Sequence, residues 1–319
     1  MDTSTTDAIV VGITGAGQEQ AALRFAAECA RREDREVVLV HVVSATGVTP
    51  APGTPVEHLA VADAAQRVVE EVSEEFEELT RGTVEFRALA VSGNPARVLV
   101  GLSREARMVV VQHRREQGLG RFFTGSTVNG AAAHAQCPVV SVNPEWRPET
   151  SGEVVIGLHE GGQPRPVLEE GFAWAVATGA PVRLAHAWRL DPAYDDLVAA
   201  SDIAAWREQQ QVALRAAVQQ LAHDHPDVEI AFDVRHMSPA DVIVDDSRTA
   251  SLVVVGRHDA RRWTPQRLGA VARIVLRESL SPVMVVPLRQ EVHGEGHGDV
   301  RGEAHEDWGL EADEVSPQT

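Results

Sequence analysis

The chain is written twice. Slid along itself by 145 residues, Gly12 falls on Gly157, Val37 on Val182, Leu39 on Leu184 and His41 on His186. At a shift of 144, Pro95 falls on Pro239, Ser103 on Ser247, Val109 to Val111 on Val253 to Val255, and Pro138 on Pro282. Between Pro95 and Val142 there are 14 identities in 48 positions. An offset that drifts by one residue across a whole domain marks a duplication rather than a shared bias of composition. The chain must therefore fold as two like units, and 319 residues at 44% hydrophobic content let each bury a core.

Each copy alternates strand and helix. In the first, DAIVVGI reads as a strand, 18–32 as a helix and EVVLVHVV as a second strand, followed by a helix from about Glu57 to Arg81. TVEFRALAV, RMVVV and PVVSV are the remaining strands, with helices over 94–105 and 125–135 between them. The second copy supplies the same five strands at 154–158, 182–188, 228–234, 252–256 and 282–287. Runs such as VVLVHVV, apolar on both faces, are those of parallel strands covered by helices on each side. The expected fold is α/β: two tandem, doubly wound, parallel five-stranded Rossmann-like domains. Domain 1 is placed at 1–146, a linker at 147–152, domain 2 at 153–289 and an acidic, disordered tail at 290–319.

Composition removes several function classes. A formal charge of −18 argues against a sequence-independent grip on nucleic acid or anionic membranes. All 29 basic residues are Arg, which excludes Schiff-base chemistry and a lysine-dependent phosphate loop. Cys29 and Cys137 stand in apolar contexts without a neighbouring thiol, so neither a disulfide framework nor a cysteine metal site is indicated. The N-terminus has no basic region before its short apolar run, and no apolar stretch approaches membrane-spanning length. A cytoplasmic protein is expected.

In an open parallel sheet, ligands bind beyond the carboxyl ends of the strands, where strand order reverses. In the first copy the loops to read are GITGAG, 12–17, and the segment 112–126, in which Gly125 and Ser126 open a helix and offer an anion site. Both copies resemble the universal stress protein family, from about Asp7 to Leu288, and AHAQCPVVSV, 133–142, is close to that family's closing segment. ATP-binding members share a motif G-x2-G-x9-G-[ST] from the end of the fourth strand, and an Asp two residues after the glycine of the first loop.

Carried over residue by residue, the first copy has Gln112 and Arg115 at the first two glycines and keeps Gly125 and Ser126. The second keeps Gly256 and Gly269 but has Asp259 at the second glycine and Ala270 at the hydroxyl. Thr14 and His159 replace the first-loop Asp. A side chain at a motif glycine occupies space that a phosphate would need, so Gln112 and Arg115 are expected to reshape the pocket. The nucleotide-binding residues expected in domain 1 are Gly12, Thr14, Gly15, Gln112, Gly125, Ser126 and Thr127, with Arg114 auxiliary on an otherwise solvated loop. Gly157, His159, Gly256 and Gly269 mark a degenerate second site, where Asp259 opposes phosphate.

Other candidates read as structural. His41 and His186 have no nucleophile or carboxylate set beside them by a motif, and Ser126 is a helix cap or phosphate contact rather than a hydrolase nucleophile. The carboxylates of EEVSEEFEELTR, 70–81, belong to a wet helix face. His293, His297 and His305 in the tail make at most a weak metal site, and no metal is required. The resemblance implies a non-enzymatic stress-response module with residual adenine-nucleotide (ATP) binding in domain 1. It also implies an intramolecular pseudo-dimer through the last strands, protein partners and scope for a homodimer. The alternatives are a ligand-free interaction scaffold and, last, a weak ATP hydrolase.

Overall fold

A computed structural model describes residues 5–43, 55–113, 124–148, 152–159, 164–189, 200–257 and 268–288. The tail from 290 onward, its histidines, and Arg114, Arg115 and Asp259 lie outside these residues. The first copy runs β1 (Ile9–Ile13), α1 (Gln20–Glu33), β2 (Val37–Val43), α2 (Pro55–Thr80) and β3 (Phe86–Ser92). It continues with α3 (Pro95–Leu102), β4 (Met108–Gln112), α4 (Thr124–His134) and β5 (Val139–Val142). The second runs β6 (Glu153–Leu158), α5 (Arg165–Thr178), β7 (Val182–Trp188), α6 (Ala200–Asp224) and β8 (Ile230–His236). It ends with α7 (Pro239–Asp246), β9 (Ala250–Gly256), α8 (Ala270–Glu278) and β10 (Val283–Val286).

The ten strands form one sheet in the order β3-β2-β1-β4-β5-β10-β9-β6-β7-β8. Pairing is parallel within each copy, and β5 meets β10 antiparallel, Val140 opposite Met284. The two last strands thus join as the resemblance implied, and each removes the other's open edge. Strand order reverses between β1 and β4 in the first copy and between β6 and β9 in the second.

Alternation along the buried strands feeds two apolar layers. Met108 and Val110 enter one with α1, α2, α5 and α6, while Val109 and Val111 enter the other with α3, α4, α7 and α8. Each layer runs through both copies. On the first, Phe25 of α1 stacks on Trp174 of α5 at 5.0 Å between ring centroids and meets Trp146 edge-on. Helix starts follow local chemistry: Pro95 and Pro239 open α3 and α7, where a missing N–H costs nothing, and Asn94 Oδ1 accepts from Arg97 N. In α2, Val72 and Phe76 are buried at helical spacing, as the pattern of 70–81 predicts.

Candidate functional site

A cavity of about 370 Å³ lies at the carboxyl ends of β1 and β4. Gly12, Ile13 and Thr14 leave β1 along one wall, and Val40 to Val43 of β2 form the next. Pro95 and Leu99 of α3 form the apolar back, and Gln112, Thr127 and Val128 close the side toward α4. Gly12, Thr14, Gln112 and Thr127, predicted from sequence, therefore converge on one cavity. A Cβ on Gly12 would meet Val111 and Leu99 at 3.4 and 3.5 Å, ordinary contact, so this glycine is not required for space.

The chain's own side chains occupy backbone donors around this cavity. Glu19, 4% exposed at the start of α1, accepts from Thr14 N at 3.0 Å and from Thr14 Oγ1, and its Oε2 lies 3.5 Å from Gly15 N. Gly15 therefore contributes through its backbone. Gly17 N donates to Glu75 on α2 at 2.8 Å, so one carboxylate of the wet face holds the loop. Gln112 accepts from Ala21 N and Ala22 N at 3.0 and 3.2 Å and donates to Gln18 O at 2.6 Å. The first N–H groups of a helix have no partner within it, and Glu19 turns its carboxylate back on the loop, so Gln112 caps α1 from the end of β4. Gln112 thus both lines the cavity and holds the first N–H groups of α1.

The start of α4 borders the same cavity through Thr127 and Val128. The helix begins at Thr124, which places Gly125 and Ser126 within its first turn. The helix thus lies one residue earlier at each end than the expected 125–135. Arg114 lies outside the described residues.

The second copy has its own cavity, about 380 Å³, in the equivalent place between β6 and β9. Gly157, His159, Gly256 and Gly269 all line it. Its glycines serve packing: a Cβ on Gly157 would lie 3.0 Å from Ile243 Cδ1, and one on Gly256 would lie 3.1 Å from Val167 Cγ2. Gly269 precedes α8 without a side-chain cap.

The paired histidines part company. His41 borders the first cavity with Nδ1 3.3 Å from Ile13 O. His186 is 4% exposed, holds Nδ1 3.0 Å from Leu158 O and stacks on Trp206 of α6. Burial pushes the Cys137 thiol up to about 12 and raises Cys29 as well, so neither is a thiolate near neutrality. Among the described residues no cluster of three His, Cys, Asp or Glu side chains could hold a metal, and no helix is long and apolar enough to cross a membrane.

Glu19 and Glu75 were missed in the sequence because they act on the loop through carboxylate-to-backbone bonds, which no motif records. The one available signal for Glu19 is its place just before α1, where an acceptor is favoured.

The model of the universal stress protein family matches residues 5–143 and again 152–287. A universal stress protein of Mycolicibacterium smegmatis is 29% identical over 306 residues, spanning 90% of this chain and 99% of that one. One from Mycobacterium tuberculosis strain H37Rv is 27% identical over 291 residues, 87% of this chain and 96% of that one. Among solved structures, a universal stress protein from Archaeoglobus fulgidus shares the fold with a TM-score of 0.67 at 16% identity, covering 88% of this chain and 98% of its own. Two matches to the family's model in tandem, on two halves joined through their last strands, place the chain in the universal stress protein family in its two-domain form.

Proposed function

We propose that the protein is a non-enzymatic, ligand-responsive module of the stress response, and that the cavity of domain 1 takes the nucleoside end of an adenine nucleotide. The observation that carries this reading is the convergence of Gly12, Thr14, Gln112 and Thr127 on one cavity at the strand-order reversal. Glu19 and Gln112 line that cavity with oxygens already held by the loop and by α1, so phosphate oxygens would have to displace them whereas a nucleoside need not. Phosphates then lie outward, toward the first-turn N–H groups of Gly125 and Ser126. The net charge of −18 and the buried thiols suit a cytoplasmic protein whose partners are proteins rather than nucleic acid or membrane, with no metal needed.

The test is native mass spectrometry of the purified protein followed by calorimetric titration with adenosine, AMP and ATP. Adenosine and ATP should bind within roughly tenfold of each other, since one or two hydrogen bonds to phosphate separate them. Truncating Thr127 to Ala should weaken all three ligands. A protein that ignores all three at millimolar concentration overturns the nucleotide reading. The ligand-free scaffold then stands, and the observation favouring it is the capture of the first loop's donors by Glu19, Glu75 and Gln112.

A further inference from the structure

The two cavities descend from one duplicated site, so their linings can be compared position by position. Glu19 becomes Pro164, Gln112 becomes Gly256, and Thr127 becomes Val271. Three polar groups of the first lining are replaced by groups without a side-chain hydrogen-bonding atom. Ala270, on the second lining, stands where the first copy has Ser126. Among the described residues of the second lining, His159 is the one with a polar side chain.

Size changed as well. Val40 and Val42, on the β2 wall, become Ala185 and Ala187 on β7. A binding site drifting without use is expected to fill, because large side chains that close a void gain packing. Here two wall valines were cut back to alanine while the polar groups were removed, Val43 becomes Trp188, which is not on the second lining, and about 380 Å³ stays open. That volume lies within the about 300–1,000 Å³ of small-molecule sites. Val271, on the same lining, is 36% exposed, an apolar side chain left at the surface where domain 1 has a threonine.

We infer that the cavity of domain 2 is a binding site for an uncharged, largely hydrocarbon small molecule, a chain or a flat ring, and that it does not take a nucleotide. No charged side chain lines it among the described residues, so a charged ligand entering it loses water without gaining an ion partner. An apolar ligand gains in proportion to the surface it buries.

The test uses the intact chain and the neutral dye Nile red, followed by its fluorescence. The dye should bind saturably at one site with a blue-shifted emission, and dodecanol should displace it while millimolar ATP does not. Ala187→Phe fills the cavity and should weaken the dye by roughly tenfold or more, whereas Val42→Phe at the matching position of domain 1 leaves it unchanged. Val271→Asp, at a partly exposed position that tolerates charge, should weaken it as well and decides the matter should Ala187→Phe fail to fold. Absence of saturable binding, displacement by ATP, or binding indifferent to Val271→Asp overturns the inference. None of these outcomes depends on whether domain 1 binds adenine nucleotide.

Discussion

Ser103 and Ser247 show why an identity survives in both copies. Each is 1% exposed, each donates to the carbonyl of the residue three before it, and each accepts a backbone N–H from 33 residues ahead, Gln136 to Ser103 and Leu280 to Ser247. One hydroxyl thus ties the end of α3 or α7 to the approach to the last strand. Ser247→Ala leaves that amide buried without an acceptor and should cost about 1–3 kcal/mol in urea melts. The matching change at Ser103 should cost a similar amount. The pair was legible as an identity at an offset of 144, although its bonds were not. Gln112 was legible as a departure from the motif, but not its destination. Its partners are 90 and 91 residues away, and a side chain's direction at a strand end is settled by the helix it meets rather than by its neighbours in sequence.

Between elements, the copies are held together by more than apolar layers. Arg107, just before β4, reaches Glu170 on α5 with two bonds of 3.1 and 2.9 Å and Glu33 at the end of α1 with a third of 2.9 Å. Burial alone would lower its pKa, but the charges of Glu170 and Glu33 outweigh that and hold it above the ordinary arginine value. Side chains one-fifth exposed are screened only in part, so Arg107→Met should cost about 2 kcal/mol in denaturant melts, and Arg107→Lys should recover little because the paired geometry needs a guanidinium. Elements themselves were plain from the sequence, since apolar runs and helical spacing reflect the same burial that forms them. Their ends were less so. The first helix starts at Gln20 rather than Gln18 because the preceding turn is held by Glu19 and Glu75, contacts that propensity does not carry.

At the scale of the whole molecule, one sheet makes the two copies a single body as far as Leu288. Met284 is 2% exposed at the seam, opposite Val140. Met284→Asp puts an unpaired carboxylate there and should cost at least about 3 kcal/mol. Hydrogen exchange should show protection falling together in β1 and β6, one in each copy, whereas a loss confined to β6 would mean that the copies unfold independently. Pairing of the last strands also has a directional result. Strands of the two copies run opposite ways, so the carboxyl ends of β1 and β4 point away from those of β6 and β9. The two cavities open at opposite rims of the sheet. A body seated on one mouth leaves the other in water, so the two rims can be covered or left bare independently of each other.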